Sequence, residues 1–267
     1  MGASLVSERP FSQDTSRRLV VAHRGASARE AENTLDAFEA AVAAGADAVE
    51  LDVRLTADGQ PVVLHDAKLD RTTDATGPLV ARTLADLRRV RIRTRDGGST
   101  TVPSFREVLE ALSDRIALDI ELKNVPDEPD FQPGAERLVT ATLEVLREIG
   151  GAGDVLVSSF DPVALDAVRR RAPDVATGLL TTADVDPHAA VTFARDRGHP
   201  WVLPAVGGVR GAGADLVETA HAASIRIGTW ITDDPSEAVA LFVSGVDAIA
   251  TNDPGPVVAA VREAFGS

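Results

Sequence analysis

Short apolar runs alternate with longer helical patterns along almost the whole chain. The strand candidates are Leu19–Ala22, Ala48–Val53, Pro61–Leu64, Ile116–Leu122, Val155–Ser159, Val175–Leu180, Trp201–Pro204, Ile225–Ile231 and Asp247–Ala250. The helix candidates are Thr34–Ala44, Leu84–Arg89, Phe105–Ser113, Ala135–Ile149, Pro162–Arg171, Pro187–Asp196, Ala214–Ala223, Pro235–Ser244 and Pro254–Phe265. Asn33 stands where it would cap the first helix, and Asp161-Pro162, Asp234-Pro235 and Asp253-Pro254 each put an acceptor before a proline at N1. Gly45, Gly151 and Gly245 stand where a left-handed residue would close the preceding helix. Strand–helix alternation predicts a parallel sheet covered by helices. There is one strand candidate more than an eight-fold α/β barrel needs. The link Leu55-Thr56-Ala57-Asp58-Gly59-Gln60 removes the surplus, because a parallel crossover needs roughly a dozen residues or more. Asp58-Gly59 is also a hairpin-turn signal. Pro61–Leu64 should therefore fold back antiparallel on the strand before it, above the mouth of a TIM (β/α)8 barrel, followed by irregular loops.

The length of 267 residues suits one barrel domain over 19–267, preceded by a flexible segment over 1–18. That polar leader lacks the apolar core of a secretory signal, and no apolar run approaches the roughly 20 residues of a membrane span. The expected location is cytoplasmic, with no integral membrane association. There are no cysteines, so disulfides and thiolate metal sites are excluded. A net charge of −14 without a basic face argues against nucleic acid. The arginines of Arg88–Arg95, in an expected loop, and of Arg169-Arg170-Arg171, at a helix end, are predicted to be solvated surface. An anionic substrate would then need local positive charge or a bound cation.

In a barrel of this kind the site lies at the C-terminal ends of the strands, and the polar residues gather there. The first strand ends in His23-Arg24, the second in Glu50-Leu51-Asp52, the next parallel one in Glu121-Leu122-Lys123, and the last in Thr251-Asn252; His65 ends the hairpin. Glu50 and Asp52, two apart, point to one face of a strand. With Glu121 on the neighbouring strand they suit a hard cation, Ca²⁺ or Mg²⁺; the competing interpretation is an ion-pair cluster with Arg24 and Lys123. His23 and His65 are the natural acid–base pair, since imidazole titrates near neutrality. Arg24 and Lys123 place fixed positive charge beside the carboxylates and suit a phosphate. Trp230 is either an apolar wall of the site or core. His188, His199 and His221, in or beside helices, are expected to take no part.

At these residues the sequence resembles the glycerophosphodiester phosphodiesterase family, within the phosphatidylinositol phospholipase C-like barrels. The matching stretches include His23-Arg24-Gly25, Glu32-Asn33-Thr34, Glu50-Leu51-Asp52-Val53, Asp58-Gly59, His65-Asp66, Leu69-Asp70-Arg71-Thr72-Thr73, Val102-Pro103-Ser104-Phe105, Glu121-Leu122-Lys123, Ser159-Phe160, Trp230 and Thr251-Asn252-Asp253-Pro254. The resemblance implies hydrolysis of glycerophosphodiesters to sn-glycerol 3-phosphate and an alcohol, aided by one divalent cation, Ca²⁺ or Mg²⁺. It implies that His23 and His65 exchange protons, that Glu50, Asp52 and Glu121 hold the metal, that Arg24 and Lys123 contact the phosphate, and that Trp230 lines the glycerol side. Two positions depart from the family pattern. Ala31 stands where proline usually precedes Glu-Asn-Thr, and Asp233 stands where Trp-Thr-Val-Asn usually ends in an amide, which bears on substrate-side specificity. The alternatives are a lyase that stops at a cyclic phosphate and a non-catalytic phosphodiester-binding barrel. Head-group choice should rest with the loops Ala67–Asp114 and Asn124–Pro133; the sequence leaves it and the oligomeric state open.

Overall fold

The structure, a computed structural model, describes Phe11 and residues 18–149, 154–213 and 215–266. In chain order the elements are β1 (Leu19–His23), α1 (Leu35–Ala43), β2 (Ala48–Leu55), β3 (Pro61–Val63), α2 (Leu84–Leu87), β4 (Arg91–Arg93), β5 (Ser99–Thr101), α3 (Phe105–Leu112), β6 (Ala117–Leu122), α4 (Glu136–Ile149), β7 (Val155–Ser159), α5 (Pro162–Arg171), β8 (Ala176–Thr181), α6 (Pro187–Arg197), β9 (Trp201–Pro204), α7 (Val206–Ala212), α8 (Asp215–Ala222), β10 (Arg226–Trp230), α9 (Pro235–Val243), β11 (Ala248–Thr251) and α10 (Pro254–Phe265). Strands β1, β2 and β6 to β11 pair in parallel, and β1 bonds both β2 and β11, which closes a TIM barrel. β3 lies antiparallel on β2, with Val53 opposite Val63 and Leu55 opposite Pro61, as the short Asp58-Gly59 link requires. The register sets His23 beside Glu50, Glu50 beside Asp119, and Asp52 beside Glu121. These polar side chains, two residues apart on adjacent strands, thus share the inner face.

The outward faces of the strands make the core. Val49, Leu51 and Val53 pack with Phe38 of α1 and Phe105 of α3, while Val20, Val202, Ile227 and Ile249 pack under α6 to α10. Both phenylalanines are fully buried, and truncating either to alanine would cost about 3–5 kcal/mol. The inside of the barrel toward its floor is apolar too: Leu19, Val21, Trp201 and Leu203 meet Phe11, whose ring stands edge-on to Trp201 at 5.8 Å. A small separate core of Val62, Leu64, Leu69, Leu79, Leu87, Ile92 and Val102 lies under the insertion after β3 and gives that segment a fixed shape. Ser104 and Glu107 form a reciprocal capping box that restarts the barrel at α3. No described helix is long and apolar enough to cross a membrane.

Several sequence expectations change. Thr34, not Asn33, caps α1, its Oγ1 accepting from Ala37 N–H at 3.2 Å; Asn33 turns into the barrel instead. The basic stretch Arg88–Arg95 is not a loop throughout, because Arg91–Arg93 pairs with Ser99–Thr101 as a hairpin. Ile92 points into the small core while Arg91 and Arg93 point out, a strand period masked by the charges. Helix α7 holds Gly207, Gly208 and Gly211, which disfavour helix locally. Packing overrides that preference, with Val209 buried and Arg210 paired to Glu237 on α9. Gly45 and Gly245 have φ of +78° and +96° and end α1 and α9 as expected. The leader apart from Phe11 and Arg18, Gly151 as a helix terminator and Ala214 as a helix start fall outside the described residues.

Candidate active site

A cavity of about 200 Å³ opens at the C-terminal ends of the strands. His23, Arg24, Glu50, His65, Glu121 and Lys123 line its polar upper part, and Phe160 and Trp230 stand on its wall with their rings edge to face at 5.6 Å. Below them the lining is mostly apolar, through Leu156 and Leu203 to Trp201, with Asp119, Ser158 and Thr229 its polar members. Trp230 is held by its indole N–H, which donates to Leu203 O at 2.9 Å. All the residues singled out in the sequence therefore converge, Asp52 lying just behind the lining among Arg24, Asn33 and Lys123. His188, His199 and His221 are engaged elsewhere, with Ala212 O, with Thr177 and Asp166, and with Asp247.

Each candidate histidine is pinned through Nδ1. His23 Nδ1 faces Asn252 Oδ1 at 2.8 Å, and His65 Nδ1 faces Asp66 Oδ1 at 2.6 Å. Asp66 is gripped by Arg71, which also holds Glu32, and Glu32 in turn accepts from Arg24 at 3.0 Å. The loop after β1 and the loop carrying His65 are thereby tied together across the mouth. His65 is also anchored from below. Leu64 N–H donates to Asp52 O at 3.0 Å, and the fully buried guanidinium of Arg54 donates from Nε to His65 O at 2.7 Å. The same guanidinium holds Asp130 and Glu128 of the β6–α4 loop, each at 2.7 Å.

Glu50, Asp52 and Glu121 each offer an oxygen within 4.8 Å of the others, and all three are buried. Glu50 Oε1 and Asp52 Oδ1 are shielded from solvent and accept no hydrogen bond. Glu50 Oε2 accepts from Arg24 N–H at 2.8 Å and lies 4.0 Å from His23 Nε2. Lys123 Nζ lies 2.7 Å from Glu121 and 3.5 Å from Asp52, and Arg24 Nε lies 3.2 Å from Asp52. Burial raises all three carboxyls, but Lys123 and Arg24 hold Asp52 well below the usual range. Glu50 is pushed well up by burial and by its two acidic neighbours, and Glu121 is pushed up to about 7, chiefly by burial, against the pull of Lys123. Burial lowers His23 to about 4 and also lowers His65. Arg24 and Asn33 both hold left-handed backbone, with φ of +56° and +58°, and Asn33 N–H donates to Arg24 O at 3.1 Å. This locally unfavourable pair aims two donors at Asp52, and such strain collects at functional sites.

The glycerophosphoryl diester phosphodiesterase family matches residues 23–256, which takes in every residue of this constellation. The chain belongs to this family. A glycerophosphodiester phosphodiesterase from Caldanaerobacter subterraneus is 31% identical over 92% of the chain and 99% of its own length. Among solved structures, an Oleispira antarctica phosphodiesterase in complex with the product sn-glycerol-3-phosphate superposes with a TM-score of 0.82 at 28% identity, over 92% of this chain and 97% of that one. The glycerophosphodiester phosphodiesterase of Thermotoga maritima gives 0.72 at 27% identity, over 91% and 98%. From the sequence, Arg54, Asp66, Arg71, Asp119 and Asn252 carry no assigned role, although Asp66, Arg71 and Asn252 stand in the matching motifs. Arg54 lies just past the strand candidate Ala48–Val53, although alternation sets it on the same face as Glu50 and Asp52. Asp119 carried a signal of its own, since it continues the i, i+2 acidic spacing of Glu121; it accepts from Ser158 Oγ at 2.6 Å, and burial pushes it up to about 7.

Proposed function

We propose that the chain hydrolyses glycerophosphodiesters to sn-glycerol 3-phosphate and an alcohol, with His23 and His65 exchanging protons and Glu50, Asp52 and Glu121 holding one divalent cation. The observation that carries this reading is the pairing of two imidazoles, each fixed through Nδ1, with a buried carboxylate triad on one cavity. The product complex of the Oleispira relative supports the product. The solvent-shielded oxygens of Glu50 and Asp52 that accept no hydrogen bond fit a cation that takes oxygen ligands. A bound Ca²⁺ or Mg²⁺ would supply polarisation of a phosphoryl oxygen.

The chain's own residues do the remainder. With Nδ1 engaged, Nε2 of each imidazole is the nitrogen left to act. One histidine removes the proton of the attacking hydroxyl or water, and the other protonates the departing alcohol oxygen. Arg24 and Lys123 stand beside the triad and stabilise the charge that develops on the phosphoryl oxygens. Trp230 and Phe160 give the glycerol moiety an apolar wall. The test is incubation with glycerophosphocholine, with enzymatic detection of sn-glycerol 3-phosphate, with and without EDTA. Product should form, vanish on chelation and return with Mg²⁺ or Ca²⁺. A cyclic glycerophosphate as the final product would make the protein a lyase, and binding without turnover would leave a non-catalytic barrel.

A further inference from the structure

Asp233 follows β10 and Asn252 follows β11, and the two are locked together. Asp233 Oδ1 accepts from the backbone N–H of Asn252 at 2.6 Å and from Thr251 Oγ1 at 2.8 Å. Its Oδ2 accepts from Asn252 Nδ2 at 2.9 Å. The opposite end of the same amide, Oδ1, faces His23 Nδ1 at 2.8 Å. Ser27 Oγ stands 3.1 Å from that oxygen and 2.7 Å from His23 O; its one hydrogen can go to only one of them, so it does not set the amide's direction against the bonds to Asp233.

We infer that Asp233 is a positioning residue that fixes the orientation of the Asn252 amide and, through it, the tautomer of His23. The inference rests on the proposed role of His23 in proton exchange. A carboxylate only accepts, so Asn252 must turn its NH₂ toward Asp233 and its carbonyl oxygen toward the imidazole. The imidazole must then carry hydrogen on Nδ1, which leaves the Nε2 lone pair toward the cavity. Bonds from Asn252 outweigh burial and keep Asp233 ionised, below the usual carboxylate range. The acid at this position thus acts on the catalytic imidazole rather than on substrate choice.

Substitutions distinguish this from simple bracing. In Asp233→Asn the carbonyl oxygen must stay with the Asn252 backbone N–H, which only donates. The new NH₂ then meets the Asn252 NH₂. Relief requires Asn252 to flip, which presents NH₂ to His23 Nδ1 and forces the hydrogen to Nε2. Asn252→Asp alone sets two carboxylates face to face. The double variant D233N/N252D restores a compatible order: the introduced amide donates to the introduced carboxylate, which accepts from His23 Nδ1. The experiment reads the His23 side chain by ¹⁵N NMR at about pH 8, where a free imidazole is neutral, with signals assigned by their loss in His23→Gln. It also measures kcat and KM on glycerophosphocholine. Wild type and the double variant should show Nδ1–H. D233N should show Nε2–H, with KM near wild type and kcat lower by roughly 10²–10⁴-fold, the range for a misdirected catalytic imidazole. Most of that loss should return in the double variant. Retention of Nδ1–H in D233N, or a double variant no more active than either single one, overturns the inference. A switched tautomer with unchanged kcat supports the positioning and removes His23 from the catalytic reading instead.

Discussion

Replacing Arg54 by methionine should damage stability and catalysis together. The guanidinium is fully buried and spans three partners: His65 O, Asp130 and Glu128. Methionine fills much of the aliphatic volume but leaves Asp130, whose side chain is 6% exposed, without its cation. Removing one member of a buried pair costs about 3–5 kcal/mol. At roughly 2–4 °C per kcal/mol for a domain near this size, Tm should fall by about 6–20 °C. Glu128 is 32% exposed, so its ion pair is discounted for solvent, and Glu128→Gln should cost no more than about 1 kcal/mol. Loss of the donor to His65 O frees the loop that carries His65, so kcat of the folded R54M fraction should drop while E128Q stays near wild type. The assays are thermal melts followed by circular dichroism and initial rates on glycerophosphocholine below the lower Tm. An R54M protein that melts within about 2 °C of wild type with unchanged kcat would refute the argument that this guanidinium carries the His65 loop.

Other outcomes follow from the same geometry. His23→Ala and His65→Ala should each lower kcat by about 10²–10⁴-fold with the fold intact, and steady-state rates alongside a melt check this. Glu121→Gln removes one carboxylate of the triad proposed to hold the cation and should weaken Mg²⁺ or Ca²⁺ binding measured by calorimetry, and an unchanged affinity would move the cation elsewhere. Gly25→Ala should destabilise the protein by about 1–3 kcal/mol in urea unfolding. Its φ is +79°, and a Cβ there would lie 2.6 Å from the backbone carbonyl of Ala37.

The sequence by itself determined the order of the eight barrel strands and the antiparallel return after Asp58-Gly59. It also determined at which end of the barrel the polar residues gather. All three follow from interactions between near neighbours. Apolar periodicity selects helix or strand, a link as short as Thr56–Gln60 cannot cross over a sheet, and carboxylates at i, i+2 such as Glu50 and Asp52 must share a face. Charge hid the hairpin around Ile92, and glycine hid α7, because in both places packing against distant residues outweighed local preference. Tertiary structure alone decided the partners of buried polar groups. Arg54 carries no assigned partner in the sequence until the β6–α4 loop brings Asp130 and Glu128 over it. Asn33 reads as a helix cap until β2 presents Asp52 to it. Asp233 reads as an extra charge at the mouth until the closure of β11 on β1 sets Asn252 between it and His23. A hydrogen bond between strands depends on barrel register, which no short stretch of chain encodes, and it is register that turns a list of polar residues into an oriented pair of imidazoles.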